Sequence, residues 1–211
     1  MSKKLVIKIG GSIIRKGLLK QVLTSITHLS HENDTIVITG GGGLADEIRN
    51  YDKSYGLDKS SSHFLAIKTM DLNSELVESL DKKFKAVKTL QRSSKEKIPV
   101  LKTEKILRDS DIPHSWEVTS DSISLFVAEE IGAKHLLLIK DVDGIYGKDK
   151  KIIKEINSEN LDKLESSCLD KYFPKVKTEK VCKTFIVSGT DPQRIKNYSE
   201  ESTVKTIVRH R

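Results

Sequence analysis

The sequence predicts an α/β fold built on a mostly parallel sheet, because short apolar segments alternate with longer segments of helical periodicity. Residues 4–9 and 35–39 are apolar and rich in β-branched side chains, as buried strands are. Each is followed by glycines and then by a helical segment. Units of strand, turn and helix repeated in this way favour parallel strands joined by right-handed crossovers.

The first predicted helices follow these strands directly. The first lies within residues 17–33, where the large apolar residues recur at helical spacing: Leu18, Leu19, Val22, Leu23, Ile26 and Leu29. The second begins near Leu44. Residues 58–91 predict one or two more helices, with these candidate buried residues: Phe64, Leu65, Ile67, Leu72, Leu76, Val77 and Leu80.

The second half of the chain continues the alternation. Residues 97–101 and 104–108 resemble short strands, and Thr119 or Ser120 is placed to cap the helix that follows. That helix carries Ile123, Leu125, Phe126 and Ile131, and a core strand follows at 133–140. The remaining pattern predicts a helix near 158–166, a strand at 184–189, a short helix after Pro192 and a final strand at 203–208.

Composition limits the class of protein. A chain of 211 residues, 36% hydrophobic and 32% charged, is long enough for one continuous fold with a sizeable core. No apolar run reaches the roughly 18 residues that span a bilayer, and the apolar stretch near the N-terminus is too short for a signal peptide. We expect a cytoplasmic protein with no membrane partner, in which Cys168 and Cys182 are reduced. No spacing typical of a protein-bound metal site occurs.

The charge of the chain allows two explanations. A formal net charge of +7 is compatible with nucleic-acid binding, but the lysines are spread along the chain without a basic and aromatic binding module. A cationic surface that attracts a small anionic substrate is the simpler explanation. We therefore expect no nucleic-acid partner.

Two glycine-rich loops follow the first two strands. Lys8 lies near the end of the first strand and Gly10, Gly11 and Ser12 follow it, while Gly40–Gly43 follow the second strand. Ligands of parallel sheets bind at this carboxyl edge, where helix N-termini attract anions. Four consecutive glycines favour a ligand site over a plain turn. The pair at 10–11 is equally compatible with a tight turn.

Six segments in this order make the chain resemble the amino acid kinase family. They are "KIGGS" at 8–12, "GGGG" at 40–43, "TSDS" at 119–122, "KDVDGIYG" at 140–147, "FPK" at 173–175 and "SGTDPQRI" at 188–195. The resemblance implies a three-layer α/β/α sandwich around a mostly parallel central sheet, the carbamate kinase-like fold. It implies a single domain over residues 1–211, with an acceptor-side lobe over about 1–115 and a nucleotide-side lobe over about 116–211. Relatives are commonly homo-oligomers, which we expect here.

The resemblance also implies ATP-dependent phosphoryl transfer with Mg²⁺ bound to the nucleotide. Its nucleotide-site candidates are Gly10, Gly11, Ser12, Lys140, Asp141, Asp143, Gly144 and Tyr146. Its catalytic candidates are Lys8, Lys175 and Asp121, the aspartate being the residue that holds the two lysines. Asp121 is equally explained as a carboxylate in the first turn of a helix. The segment "KYFPK" lacks the family's glycines before Lys175, so Lys171, Lys177, Lys180 and Lys183 compete for its role.

The acceptor side is implied by the second glycine loop. Its candidates are Gly40, Gly41, Gly42, Gly43, Asp46, Arg49 and Ser120. The segments "IPHSWEVTSDSIS" and "GGGGLADEIR" are most similar to the archaeal branch that phosphorylates [5-(aminomethyl)furan-3-yl]methyl phosphate during methanofuran synthesis. Arg49 or Arg15 is then available to pair with the acceptor phosphate. Trp116 and His114 either cover the furan ring or pack between the lobes.

Other functions remain open from the sequence. A kinase of this family acting on UMP, isopentenyl phosphate or an amino acid carboxylate is the first alternative. The altered "KYFPK" loop favours a second, a non-catalytic protein of this fold that binds nucleotides or anions. A nucleic-acid-binding module, suggested by the charge alone, is the third.

Overall fold

The protein is a single eight-stranded sheet with helices on both faces, seen in a computed structural model that describes residues 3–89, 96–181 and 183–210. The strands are Lys3–Ile9 (β1), Asn33–Thr39 (β2), Phe84–Val87 (β3), Ile98–Leu101 (β4), His135–Lys140 (β5), Glu155–Asn157 (β6), Lys183–Ser188 (β7) and Thr206–Arg209 (β8). Their order is β3-β4-β2-β1-β5-β7-β8-β6, and only the β7–β8 pairing is antiparallel among these strands. The mostly parallel sheet is therefore confirmed.

The helices occupy the two outer layers predicted for an α/β/α sandwich. They are Gly11–Arg15 (α1), Leu19–Ser30 (α2), Gly42–Tyr55 (α3), Lys59–Leu80 (α4), Glu104–Arg108 (α5), Ser120–Glu130 (α6) and Pro192–Lys196 (α7). Two 3₁₀ helices span Ser158–Lys163 and Phe173–Lys175. One hydrophobic core joins the sheet to α1, α2 and α7, and the other joins it to α4, α5 and α6.

The alternation of side chains along β1 determines the face of the sheet to which Lys8 points. Leu5, Ile7 and Ile9 pack into the core beneath α1 and α2, while Val6 packs into the opposite core beneath α6. Successive strand residues point to opposite faces, so Lys8 lies on the same face as Val6. A lysine is thereby directed into the interior, toward α6.

Most of the predicted elements are confirmed. The apolar residues of α2 are buried, and Leu18, just before the helix, is partly buried. Thr119 is the N-cap of α6, and its hydroxyl accepts a hydrogen bond from the backbone N–H of Asp121. The predicted helix near 158–166 is a shorter 3₁₀ helix. Cys182, like residues 90 and 91 of the predicted helical segment, lies outside the described residues.

Two predictions in the middle of the chain were wrong. Residues 84–87 form strand β3 rather than the end of a helix, because α4 stops at Leu80 and the chain returns to pair with β4. Residues 104–108 form α5 rather than a strand. The backbone N–H of Thr103 donates to the carboxylate of Asp71 at 2.7 Å, which satisfies a free donor at the start of that helix.

The burial predicted along α4 was half wrong. Phe64, Ile67 and Val77 are buried as expected. Leu65, Leu72, Leu76 and Leu80 are exposed because they lie on the face of α4 turned away from the sheet. Among the described residues, no helix is both long and apolar enough to cross a membrane.

Asp71 predicts a pH dependence of stability. Burial raises the pKa of this half-buried carboxyl to about 6, against hydrogen bonds from the N–H groups of Thr103 and Glu104 that lower it. Between about pH 4 and 6 the folded protein then holds a proton that the unfolded chain has released. The unfolding free energy should fall as the pH rises through this window, by about 1–2 kcal/mol after allowance for solvent screening.

Urea denaturation of the wild-type protein and Asp71→Asn between pH 4 and 7.5 measures this contribution. The difference in unfolding free energy between the two proteins should change across the window and level off above pH 7. A constant difference would show that Asp71 titrates normally.

Candidate active site

Three buried charged side chains form the centre of the site. The ammonium of Lys8, from β1, lies 2.8 Å from Oδ1 of Asp121, and that of Lys140, from the end of β5, lies 2.7 Å from Oδ2. Lys8 and Asp121 are 4% and 3% exposed. We call Lys8, Asp121 and Lys140 the lysine–aspartate triad. It combines two cations with one carboxylate, so it presents a surplus positive charge beneath the carboxyl edge of the sheet.

Burial and pairing set the protonation of the triad. Burial alone would raise the pKa of Asp121, but Lys140 and Lys8 outweigh it and lower that pKa to about 2. Burial lowers the pKa of Lys8, and the charge of Lys140 acts in the same direction. Burial is the largest single influence on Lys140 and lowers its pKa, but attraction to Asp121, with contributions from Cys168 and Asp170, together outweighs burial, so the pKa is raised. The carboxylate therefore stays ionised at neutral pH.

The second lysine of the triad is not the one predicted. Lys175 was expected to share Asp121 with Lys8, but it is exposed at the end of the second 3₁₀ helix, while Lys140 occupies the place at Asp121. The reason lies in the anchoring of that helix. Phe173 is fully buried and its backbone N–H donates to Asp170 at 2.9 Å, which leaves Lys175 pointing outward.

The two glycine loops pack against each other through their backbones. A Cβ on Gly11 would lie 2.4 Å from the backbone nitrogen of Gly42, and one on Gly40 would lie 2.7 Å from that of Gly11. Gly42 also has a φ of +60°, which side chains disfavour. The N–H of Gly10 donates to the carbonyl of Ile139 at 2.8 Å, which ties the first loop to β5.

The sequence analysis missed the side chain that holds the second loop. Asn73 of α4 is buried, and its amide donates to the carbonyl oxygens of Gly40 and Gly41 at 2.7 and 3.1 Å. A lone asparagine within a helical pattern gives no signal in the sequence. Gly43 has open space where a Cβ would lie, so the packing that constrains Gly40–Gly42 does not extend to it.

The acidic loop after β5 is held by its own aspartates. Asp141 pairs with Lys16 at 2.9 Å, and this bond, with a smaller contribution from Ser12, lowers the pKa of Asp141. Asp143 pairs with Arg194. Both aspartates, predicted as nucleotide-site residues, thus have structural partners.

The same loop is closed against the end of the sheet. The N–H of Ile145 donates to the hydroxyl of Thr206 at 2.8 Å, and a Cβ on Gly144 would lie 2.6 Å from that oxygen. Tyr146 is exposed and forms an isolated antiparallel bridge with Ile152. Glycine is therefore needed at 144 for packing against Thr206.

A second residue missed by the sequence analysis joins α6 to the 3₁₀ segment. The carboxylate of Asp170 accepts hydrogen bonds from the hydroxyl and N–H of Thr119, at 2.7 and 2.9 Å, and from the N–H of Ser122 at 3.0 Å. Lys140 donates to the carbonyl of Cys168 at 2.6 Å. Segment 168–173 is thereby fixed to the same helix end that carries Asp121.

A cavity of about 230 Å³ opens beside the glycine loops. We call it the glycine-loop cavity. It brings together Gly41, Gly42, Asp46, Arg49 and Ser120 of the predicted acceptor set, along with Gly11 and Ser12 of the predicted nucleotide set. Four residues of α4 also line it and were not predicted: His63, Ala66, Ile67 and Met70. Gly40, Gly43 and His114 do not line it.

Arginine and tryptophan form one wall of this cavity. The guanidinium of Arg49 lies 4.5 Å from the centre of the Trp116 ring and donates to Asp46 at 2.9 Å. Arg15 approaches the same carboxylate at 3.6 Å. The indole N–H of Trp116 donates to Asp52. Trp116 lines the cavity. Its ring on one side and the carboxylate of Asp46 on the other fix the orientation of Arg49.

A larger cavity, of about 810 Å³, lies on the other side of Trp116 and Thr119. Residues 161–175 supply most of its wall, including Lys171 and Lys175, and we call it the 161–175 cavity. Residues 140–146 line neither this cavity nor the glycine-loop cavity.

Comparisons of the sequence with known proteins identify its family. A sequence model of the amino acid kinase family matches residues 3–183, and the chain belongs to that family. Over 203 residues it is 34% identical to the [5-(aminomethyl)furan-3-yl]methyl phosphate kinase of Methanocaldococcus jannaschii, with 92% of each chain covered. It is 24% identical to the uridylate kinase of Methanococcoides burtonii, over 96% of this chain and 93% of that one. The relatives are kinases, so the class of this chain is phosphotransferase.

Solved structures show the same fold. The UMP kinase of Ureaplasma parvum superposes with a TM-score of 0.77 at 17% identity, covering 99% of this chain and all of that one. The isopentenyl phosphate kinase of T. acidophilum superposes with a TM-score of 0.64 at 18% identity, covering 98% and 100% of the two chains. At such identities these structural similarities establish the shared fold and not a shared function.

The contact between the glycine loops predicts unequal effects of two alanine substitutions. Gly11→Ala should lower the unfolding free energy by about 2 kcal/mol or more, because its Cβ meets backbone atoms that cannot rotate away. Gly43→Ala, with open space around it and a helical position, should be neutral or stabilising by up to about 1 kcal/mol. Chemical denaturation measures both. Equal stability of the two variants would contradict the interlocked loops.

Proposed function

We propose that this protein is an ATP-dependent kinase that transfers the γ-phosphoryl group of ATP to the phosphate of [5-(aminomethyl)furan-3-yl]methyl phosphate, which gives the diphosphate. The observation that carries the proposal is the lysine–aspartate triad, buried next to two interlocked glycine loops and a small cavity with an arginine in its wall. The identity of 34% with a kinase named for this acceptor supports the choice of acceptor.

The triad supplies what phosphoryl transfer requires of a protein. The migrating group carries negative charge that positioned cations stabilise. An ammonium group has three N–H donors, and among the described residues Asp121 is the one hydrogen-bond partner of Lys8. The remaining donors of Lys8 serve the transferred group. Asp121 keeps Lys8 and Lys140 on opposite oxygens, so that they approach the phosphoryl group from two directions.

Besides these cations, the reaction requires only that the acceptor phosphate be bound and oriented. A phosphate oxygen is already anionic at neutral pH, so its attack requires no strong general base. Gly41, Gly42 and Ser120 shape the cavity, and Arg49 offers a guanidinium already oriented by Trp116 and Asp46 for pairing with the acceptor phosphate. Gly40 contributes through its packing against Gly11 rather than from the cavity wall.

The nucleotide is proposed to lie along the carboxyl edge of the sheet. Gly10, Gly11 and Ser12 would hold its phosphates through backbone N–H groups, near Lys8 and Lys140. The 161–175 cavity is of the size that nucleotide-sized ligands occupy. Asp141, Asp143 and Gly144 shape the adjoining loop, and the exposed Tyr146 is available to the adenosine.

Magnesium fits this arrangement as a companion of the nucleotide. Among the described residues, no group of three His, Cys, Asp or Glu side chains is placed to hold a metal ion. Mg²⁺ is commonly held by nucleotide phosphates with few protein ligands, and there it neutralises charge on the transferred group.

The size of the glycine-loop cavity favours a small acceptor. Its volume of about 230 Å³ is below the range of roughly 300–1,000 Å³ typical of pockets for drug-sized ligands. A monocyclic furan phosphate suits this volume better than a nucleoside monophosphate does. UMP remains the first alternative acceptor, since several relatives at 24–29% identity are uridylate kinases. A non-catalytic protein loses support, because Lys140 supplies the second cation that the altered "KYFPK" loop had put in doubt.

An acceptor panel tests the reaction directly. The protein is incubated with Mg-ATP and, separately, the furan phosphate, UMP, isopentenyl phosphate, glutamate, N-acetylglutamate and aspartate, and products are detected by mass. We expect diphosphate from the furan phosphate and loss of that product in Lys8→Ala. Product from another acceptor instead would keep the kinase class and remove the proposed substrate. Nucleotide binding without any product would favour a binding protein.

A pair of lysine variants tests which residue completes the site. Lys140→Met should lower kcat by about 10³-fold or more, since it removes a preorganised cation next to the transferred charge. Lys175→Met should lower kcat by no more than about tenfold, because Lys175 lies at the wall of the 161–175 cavity and not at Asp121. The two changes remove the same charge and leave an unbranched side chain one atom shorter than lysine. A larger loss for Lys175→Met would restore the prediction made from the sequence.

A further inference from the structure

A third cavity, of about 640 Å³, lies on the face of the sheet that carries α1, α2 and α7. We call it the β7–β8 cavity. Phe185 and Ile207 lie directly opposite each other in this antiparallel pair and form the floor, with His135 of β5 beside them. Helix α7 has only five residues, and residues 199–205 after it form a wall of the cavity.

The β7–β8 cavity is remote from the lysine–aspartate triad. His135 and Lys183 are the first residues of β5 and β7, whereas Lys140 is the last residue of β5. The five steps from His135 to Lys140 span about 16 Å of strand. His135 packs on Phe185 in the core beneath α2 and α7, on the face of the sheet opposite to the triad. A ligand in this cavity would therefore occupy a separate site.

Lys205 is a buried cation in the wall of this cavity and is 7% exposed. Its ammonium donates to the backbone carbonyl of Glu200, and it forms no ion pair with any carboxylate among the described residues. Burial lowers the pKa of Lys205, and attraction to Glu200 and Glu201 offsets this only in part. An ammonium has three donors, so two remain available to a ligand. Burying a cation without a paired carboxylate is costly, and a bound anion would remove that cost.

The side chains around the cavity carry an excess of positive charge. The cations that line it are Lys154, Lys183, Lys205 and Arg209, and the carboxylates are Glu155 and Glu201, which leaves an excess of two positive charges. Arg209 engages Glu155, with Nη2 at 2.8 Å from Oε2. Lys183 lies directly opposite Arg209 in the sheet, where like charges repel. In the part of the chain that the structure describes, Lys183 forms no ion pair that would relieve this repulsion.

We propose that the β7–β8 cavity is a second anion site, which binds a small organic phosphate monoester. Such a group carries a charge of about −1.5 to −2 at neutral pH, which matches the excess of two positive charges. The phosphate is held by Lys183 and Lys205, and the organic part lies on Phe185 and Ile207. The volume of about 640 Å³ is within the range of roughly 300–1,000 Å³ typical of small-ligand pockets. This site does not depend on the proposed kinase reaction.

Amide NMR distinguishes this site from the active site within one titration. Phenyl phosphate is added to isotope-labelled protein. The amide signals of residues 183–185 and 203–209 report on the β7–β8 cavity, and those of residues 10–12 and 40–42 report on the glycine loops. Two matched probes are titrated separately: phenyl sulfate has the same shape with one charge fewer, and inorganic phosphate lacks the ring.

Four proteins are compared: the wild type, Lys205→Met, Lys183→Met and the control Lys196→Met, which removes the same charge from α7 outside the cavity. In the wild type, phenyl phosphate should shift the signals at the cavity and bind there about tenfold more tightly than either matched probe. Lys205→Met should weaken this binding by about 10- to 100-fold, the range of a hydrogen bond to a charged group. Lys183→Met should weaken it by up to about fivefold, and Lys196→Met by less than about twofold.

Several results would overturn the inference. If the signals at the cavity do not move at up to about 10 mM phenyl phosphate, the cavity is not such a site, whatever happens at the glycine loops. Equal binding by Lys205→Met and the wild type would remove the role of the buried lysine. Equal binding of phenyl sulfate and phenyl phosphate would remove the preference for a dianion. None of these results bears on the kinase reaction, which the acceptor panel tests. Should Lys205→Met not fold, the charge reversal Lys183→Glu carries the same comparison.

Discussion

The site depends on the sharing of one buried carboxylate, that of Asp121, by two lysines from neighbouring strands. Two ammonium groups are costly to remove from water, and a single carboxylate offsets this cost incompletely. The remaining positive charge is confined to the carboxyl edge of the sheet, under the glycine loops. An anion that enters there gains more than it would at an exposed lysine, because the surroundings are dry. The same imbalance that costs stability thus favours the approach of an anion.

The surrounding structure holds this triad in place. Lys8 is set by its register in β1, and Lys140 by the end of β5 and the carbonyl of Cys168. Asp121 is set by the start of α6, whose free N–H groups are bound by Asp170. Because Asp170 belongs to the segment that forms the wall of the 161–175 cavity, that wall and the triad share one support. The two glycine loops pack against each other, backbone to backbone, at the same edge of the sheet.

Prediction from the sequence was most successful where periodicity carried the information. The strands at β1, β2, β5 and β7 and the helix α2 have unbroken apolar patterns, and all were predicted. Failures occurred in short segments with mixed patterns. The pattern "EKILR" alternates as a strand does, but the carboxylate of Asp71 stabilises its helical start from a distant part of the chain. The exposed leucines of α4 show that apolar residues do not reveal which face of a long helix meets the sheet.

The candidate site divides in the same way. Loop composition placed Lys8 and the glycine loops near one sheet edge, because strand ends and glycine runs are local properties of the sequence. Asp121 and Arg49 were added by the resemblance to the amino acid kinase family. The choice of Lys140 over Lys175 was decided by the burial of Phe173, which turns the 3₁₀ helix and its lysine outward.

By itself, then, the sequence determined the α/β class, the main strands in their order along the chain, and the two glycine loops that follow the first two strands. The tertiary structure alone decided which lysine shares Asp121, that Asn73 and Asp170 hold the loops and the helix start, and that His63 lines the cavity. These assignments join residues at least 19 positions apart, such as Lys140 and Asp121. Contacts of that kind depend on how the layers pack, and no local pattern in the sequence encodes them.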